Sequence, residues 1–158
     1  MAIYVQSEDF DLSAELKQLT ANTASTIGAV VSFVGLVRDI IGETSLTALE
    51  LEHYPGMTER QLAAIEAEAH QRWSPIKTLI IHRYGRLHPG DQIVLTIVAS
   101  THRATAFDAC RFLIDRLKTD APFWKQEETT QGTHWVASRE EDNQASARWK
   151  NKTSTNLE

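Results

Sequence analysis

Residues 27–37, Ile-Gly-Ala-Val-Val-Ser-Phe-Val-Gly-Leu-Val, form a near-continuous apolar run rich in valine. Branched side chains of this kind lose rotamer freedom in a helix and pack well on a pleated surface. The run therefore predicts a strand, and its lack of alternation predicts a central strand buried on both faces. Such a strand demands layers of structure above and below it. Gly35, inside the run, marks a bulge or a close backbone approach.

The rest of the chain supplies those layers. Ala2 to Gln6 reads as a short strand, followed by a helix from about Asp11 to Thr20 with Asp11 or Ser13 as its cap. Leu46 to Tyr54 alternates as a second long strand and Pro55-Gly56 stops it. Thr58 and Gln61 have capping-box spacing for a helix that runs to about Trp73, with Leu62, Ile65 and Ala69 on one face. Residues 76–84 and 92–99 read as strands joined through the turn signal Pro89-Gly90-Asp91. A third helix covers about Arg103 to Lys118. Its stripe is Phe107, Cys110, Ile114 and Leu117, flanked by Ala106 and Leu113. An aromatic strand follows near Phe123 to Glu128, with Trp135-Val136 placed to pair with it, and a last helix spans roughly Ser138 to Trp149. The order β-α-β-β-α-β-β-α-β-(β)-α predicts an α+β fold, helices packed on a mostly antiparallel sheet. A single domain over residues 1–149 and a disordered polar tail over 150–158 are expected.

Composition narrows the function. With 42% hydrophobic and 23% charged residues the chain has an ordinary globular make-up, and no apolar run approaches a membrane span. A net charge of −5 argues against a general nucleic-acid binder, though a local basic pocket for a small anion stays compatible with it. One cysteine excludes an internal disulfide framework and, with the absence of a signal segment, points to the cytoplasm. Cys110 falls on an apolar helix face and reads as core rather than as a nucleophile. The six histidines lack metal spacing, and neither a P-loop nor a Gly-x-Gly-x-x-Gly is present. No cofactor or metal is expected.

Three places carry candidate chemistry. Ser100-Thr101-His102-Arg103 joins a strand to a helix start, where free N–H groups and an arginine fork suit an anion; an ordinary cap beside a surface arginine is the plain alternative. Arg38 directly follows the valine-rich strand, and alone would be a first solvated loop residue. Lys118 and Lys125 bracket Ala121-Pro122-Phe123-Trp124. Lysines beside aromatic surface and other cations lose solvation and become useful as bases or nucleophiles. Helix-end complementation by Lys118 and a solvated Lys125 are the alternatives.

Taken together, the stretches Gly28 to Arg38, Leu49 to Thr58, Ile81 to Gly85, Pro89 to Asp91, Ser100 to Arg103, Leu117 to Thr119, Ala121 to Lys125 and Trp135-Val136 make the chain resemble the catalytic (large) subunit of molybdopterin synthase. The resemblance runs in order over about residues 25–149. It implies an α/β hammerhead-type fold and a homodimer, on whose ends a small ubiquitin-like sulfur-carrier subunit docks to give a heterotetramer. The carrier's C-terminal Gly-Gly thiocarboxylate then delivers sulfur to cyclic pyranopterin monophosphate, and two transfers build the molybdopterin dithiolene. Under the resemblance Lys118 and Lys125 are the catalytic residues. Leu36, Val37, Arg38, His102, Arg103, Gln126, Glu127 and Arg139 contact substrate, Arg139 from either protomer. Lys118 either orients the carrier terminus and stabilises a tetrahedral acyl intermediate, or acts as base or nucleophile. Leu36 and Gln126 replace basic residues of some relatives, and Asp120 sets a negative charge between the lysines. A small acylphosphatase-like phosphohydrolase built on Arg38 and a non-catalytic anion-binding dimer are the competing classes.

Overall fold

The computed structural model describes residues 2–23, 26–41, 44–136 and 140–150. Its elements are β1 (Ala2–Gln6), α1 (Leu12–Thr20), β2 (Ala29–Leu36), β3 (Ile40–Ile41), β4 (Thr44–His53), α2 (Met57–Arg72), β5 (Ile76–Arg83), β6 (Gly85–Leu87), β7 (Gln92–Ser100), α3 (Arg103–Asp120), β8 (Phe123–Thr129), β9 (Gly132–Val136) and α4 (Glu140–Ala147). They form two sheets. The first has the order β1-β5-β7-β2, with only the β1–β5 pair parallel. The second has the order β3-β4-β8-β9, and β6 also pairs with β4. The α+β class holds and the expected elements are found in order, with two short strands, β3 and β6, added and the strands divided between two sheets rather than one.

The strands buried on both faces are β5 and β7. Ile76, Ile80, Val94 and Val98 meet Leu62, Ile65 and Ala69 of α2 and Ala109, Cys110, Phe112, Leu113 and Leu117 of α3. On the opposite face Leu79, Ile81, Leu95 and Ile97 pack with Phe10 and against α1. Period-two alternation in the strands and the 3.6 period in the helices produce both interfaces. Phe112 sits at the centre of the helical side. Trp73 and Trp149 lie edge-on at ring distances of 5.3 and 5.5 Å, and the Arg72 and Arg116 guanidiniums cover it at 5.0 and 5.5 Å. Beneath α2, the buried carboxyl of Glu66 accepts from the Ala2 N–H at 3.1 Å and from the Thr78 hydroxyl, tying β1 to β5; burial pushes that carboxyl upward.

Three sequence expectations need correction. The valine-rich strand β2 is the edge of its sheet rather than its centre, and Val30, Phe33 and Leu36 are 36%, 36% and 54% exposed. Its apolar character reflects only partial burial within this chain. Phe107, expected in the α3 stripe, is 62% exposed; the rest of the expected face, Cys110, Ile114 and Leu117 with Ala106 and Leu113, is buried, joined by Ala109 and Phe112. Helix α2 starts earlier than the Thr58–Gln61 spacing implies. Its cap is Gly56 (φ 84°), whose N–H donates to the Glu59 carboxylate at 2.6 Å, while Thr58 lies inside the first turn and bonds back to Tyr54.

Gly35 behaves as expected. The β2–β7 register shifts at Gly35/Leu36, and a Cβ there would lie 2.7 Å from Val94 Cγ1.

Candidate active site

The Pro89-Gly90-Asp91 turn fixes the end of β2. Val37 N–H donates to Asp91 O at 2.9 Å and Gly90 N–H donates to Val37 O at 2.8 Å. The buried Val37 side chain joins Leu46, Leu49, Leu51 and Leu87 beneath the second sheet. Leu36 and Arg38, on either side of it, face solvent.

A corner after α3 carries the two lysines. Lys118 is exposed in the last turn of α3, where a cation complements the helix carbonyls. The chain then turns through Ala121 and Pro122. Ala121 N–H donates to Leu117 O at 3.3 Å and Phe123 N–H to Ala121 O at 2.9 Å. Asp120, between the lysines in sequence, is engaged within the end of α3: its carboxylate accepts from Arg116 and, at 3.1 Å, from the Thr119 hydroxyl. Strand β8 then pairs with β4 in the register Phe123–His53, Lys125–Leu51 and Glu127–Leu49, so Phe123, Lys125 and Glu127 share one face. Trp124 and Gln126 stand on the other.

Beside Lys125 lies a group of rings that sequence reasoning missed. His82 of β5 stacks on Phe123 with centroids 3.6 Å apart and planes 15° from parallel. His53 lies 4.5 Å from the Tyr84 ring and 6.3 Å from Phe123. His82 donates from Nδ1 to its neighbour's carbonyl, Arg83 O, at 2.8 Å. Burial pushes its pKa down to about 4, the bond to Arg83 opposes this, and the nearby charges of Lys125 and His53 lower it further. His82 is therefore a neutral ring near neutral pH. His53 Nδ1 is buried and without a hydrogen-bond partner among the described residues. The signal for these residues was the strand register, which puts His53 opposite Phe123; spacing along the chain tests only for metal sites.

The sequence-predicted residues fall into two groups. Helix α3 returns along β7 in the reverse direction, so its C-terminal end and Lys118 lie at the β2 end that carries Leu36, Val37 and Arg38. His102 and Arg103 stand at the other end, exposed at the start of α3. About four turns of helix, roughly 22 Å, separate Arg103 from Lys118. One chain does not bring the two groups together. Gly28 marks the far end: its N–H donates to Ser100 O at 3.0 Å, and a Cβ would lie 2.3 Å from Thr101 O. Arg139 lies outside the described residues. Glu127 is buried and pairs with His134 at 3.3 Å. Gln126 is half-buried between Glu50 and Trp135 in the ladder, on the opposite side from Lys125.

The lone thiol is excluded from this chemistry. Cys110 is buried under α3, and burial pushes its pKa up to about 12. Among the described residues no group of His, Cys, Asp or Glu is arranged to hold a metal ion, and no helix is long and apolar enough to cross a membrane.

Comparison with known proteins gives the family. The model of the family described as MoaE protein matches residues 5–120. The molybdopterin synthase catalytic subunit of Ralstonia nicotianae is 56% identical over 147 residues, covering 93% of this chain and 83% of the relative. That of Cereibacter sphaeroides is 52% identical over 149 residues, covering 94% and 100%. Among solved structures, the molybdopterin biosynthesis MoaE protein of Burkholderia ambifaria superposes with a TM-score of 0.81 at 49% identity, covering 96% of this chain and all of that one. A complex of subunits 1 and 2 of the molybdopterin-converting factor from Helicobacter pylori shares the fold, with a TM-score of 0.71 at 20% identity over 87% of this chain and 91% of that one. Family match, identity along nearly the whole length and fold converge: the chain belongs to the MoaE family, that of the molybdopterin synthase catalytic subunits.

Proposed function

We propose that this chain, as the catalytic subunit of a molybdopterin synthase, works as a sulfurtransferase. It takes sulfur from the C-terminal thiocarboxylate of a small ubiquitin-like carrier and places it on cyclic pyranopterin monophosphate. The observation that carries this reading is the pairing of an inert thiol with a gathered set of cations. Cys110 is too buried and too weakly acidic to donate sulfur, while Lys118 and Arg38 share one end of the first sheet and Lys125 follows the corner after Lys118.

The chemistry follows from charge. A carrier terminus that ends in a thiocarboxylate is an anion, and Lys118 at the mouth of the corner suits it. Attack by the carrier sulfur on a ring carbon breaks that carbon's bond to oxygen, which leaves as water from a hydroxyl or as the opened phosphate monoester, and leaves the acyl group on the new C–S sulfur. Addition of water to that acyl carbon develops an oxyanion that the Lys118 ammonium stabilises. Collapse releases the carrier as a plain carboxylate and leaves the sulfur on the pterin. Lys125 handles the proton exchanged at the substrate during that attack, and Arg38 holds the phosphate as a fork.

A homodimer completes the site. The free edge of β2 exposes Val30, Phe33 and Leu36. An antiparallel two-fold contact there sets the Gly28 end of one β2 against the Arg38 end of the other. His102 and Arg103 of one protomer thereby approach Arg38 and Lys118 of its partner, and the 22 Å separation within one chain ceases to matter. One carrier per protomer makes the assembly a heterotetramer, and a cytoplasmic location fits a chain that meets a soluble carrier. The test is reconstitution with carrier thiocarboxylate and cyclic pyranopterin monophosphate. Wild type gives a product carrying two sulfurs. Lys118→Ala folds, binds carrier and loses turnover about a hundredfold or more, in line with removal of an oxyanion-stabilising group. Near-normal turnover by that variant overturns the role of Lys118.

A further inference from the structure

The end of β4 is fastened to the corner that joins α3 to β8. The fully buried Thr58 hydroxyl accepts from Tyr54 N–H at 3.0 Å. Its one proton faces two carbonyls, Tyr54 O at 3.0 Å and Pro122 O at 3.4 Å. His53, next to Tyr54, stands directly opposite Phe123 in the β4–β8 ladder. Phe123 comes five positions after Lys118 and two before Lys125. His53 thus shares a sheet face with Phe123 and Lys125, and Lys125 is its diagonal neighbour, within reach of a long side chain. The charges of Lys125 and His53 both reach His82, whose ring is stacked on Phe123. His53 therefore belongs to the corner between the two lysines, a place that the sequence assigned to neither substrate nor carrier.

The two histidines of the group differ in what they have left to offer. His82 commits its Nδ1–H to Arg83 O at 2.8 Å. In His53 it is Nδ1 that is sealed from solvent, and among the described residues it has no hydrogen-bond partner. A neutral imidazole carries one N–H and one bare nitrogen. An unpaired N–H sealed inside a protein is rarer than an unpaired lone pair, so the sealed Nδ1 is the bare nitrogen and the proton sits on Nε2. The ring is only half-buried, with the Tyr84 ring 4.5 Å away, and Nε2–H is the polar end it keeps for a ligand. We infer that His53 is a further catalytic residue of the sulfur transfer: its Nε2–H donates to the oxygen on the carrier's acyl carbon and holds the oxyanion that forms there, beside the Lys118 ammonium. A fixed neutral donor gains most when that oxygen takes up charge, so it lowers the barrier without tightening the resting complex. No bond is made or broken at His53. The assignment rests on the sulfurtransferase reading proposed above.

The tautomer is read from the wild-type chain itself, by long-range proton–nitrogen correlation spectra of the histidine-labelled protein at about pH 8, where an imidazole is ordinarily neutral. His53 is expected with its proton on Nε2, and a proton on Nδ1 overturns the assignment. Reconstitution with carrier thiocarboxylate and cyclic pyranopterin monophosphate then reads the role. His53→Phe keeps a ring against Tyr84 and Phe123 but has no donor. Its kcat is expected to fall about a hundredfold, while the carrier Kd and the KM for the pyranopterin stay within about twofold of wild type. His53→Gln sets an amide N–H₂ near the place of Nε2 and recovers turnover to within about tenfold of wild type. His53→Asn sets its amide at the sealed Nδ1 and recovers nothing. Unchanged thermal midpoints show that the variants are folded. Turnover by His53→Phe within about twofold of wild type overturns the assignment, as does His53→Gln no better than His53→Phe, or a loss carried wholly by KM. A wild type that transfers no sulfur sinks the sulfurtransferase reading itself, whereas an active wild type beside an indifferent His53→Phe sinks only the role of His53.

Discussion

His82 shows how a single residue couples the site to stability. Its folded pKa of about 4 lies below the ordinary histidine value of 6.5. Between those values the unfolded chain takes up a proton that the folded chain refuses, so stability is full above pH 6.5 and is lost progressively as the pH falls toward 4. The full effect is about 3 kcal/mol. Urea titrations at pH 7 and pH 4.5 are expected to show this loss in wild type and a much smaller one in His82→Phe, whose ring keeps the stack on Phe123 but has nothing to protonate. Equal acid sensitivity in both would assign the effect to other groups. Cys110 offers the complementary case. A thiol with a pKa pushed up to about 12 stays protonated, so Cys110→Ala is expected to transfer sulfur at close to the wild-type rate once its packing cost is met.

At the scale of elements, the β2–β7–α3 unit decides where the site can be. Gly28 lets the start of β2 touch the Thr101 carbonyl, and Gly35 lets its end bulge over Val94. Gly28→Ala forces a methyl against backbone and is expected to displace the Thr101–His102 junction. The expected outcome is a fall in thermal midpoint together with weaker substrate binding, whereas Gly132→Ala, in a turn with open space around it, lowers stability through its φ of 122° without touching binding. The helical layer is anchored by Phe112, and Phe112→Ala is expected to cost about 3–5 kcal/mol in denaturant unfolding. Most elements were legible in the sequence because periodicity reports burial within a chain. The turn at Pro89-Gly90-Asp91 and the α3–β8 corner at Pro122 were legible because proline and glycine punctuate the chain there. The position of β2 was not. Apolar character alone does not separate an edge strand from a central one, so Val30, Phe33 and Leu36 pointed to the centre of a sheet they in fact border. Phe107 misled in the same way.

For the whole molecule, the separation of Lys118 from Arg103 along α3 has a direct consequence. If each site draws Lys118 from one protomer and Arg103 from its partner, two inactive chains can repair each other. In a hybrid dimer of Lys118→Ala and Arg103→Ala, one site carries both changes and the other carries neither. Remixing the two variants is expected to recover roughly a quarter of wild-type activity, since half of the dimers are hybrids and one of two sites in each is intact. No recovery, with subunit exchange demonstrated, would place both residues in a single protomer's chemistry. The candidate residues were legible as types, basic groups next to strand and helix ends, and the helix expected over about Arg103 to Lys118 already set those two at its opposite ends; what was not legible is that the return of α3 along β7 brings Lys118 to the β2 end that carries Arg38. His53, His82 and His134 were passed over because chain spacing tests for metal sites, while their neighbours are set by strand pairing.

On the proposed function, the sulfur reaches the pterin from outside this chain. This is tested most directly by reconstituting Cys110→Ala with carrier thiocarboxylate labelled with heavy sulfur and weighing the product. The expected product is molybdopterin with both sulfurs carrying the label. Product with unlabelled sulfur, or labelled carrier consumed with no sulfur on the pterin, would contradict it.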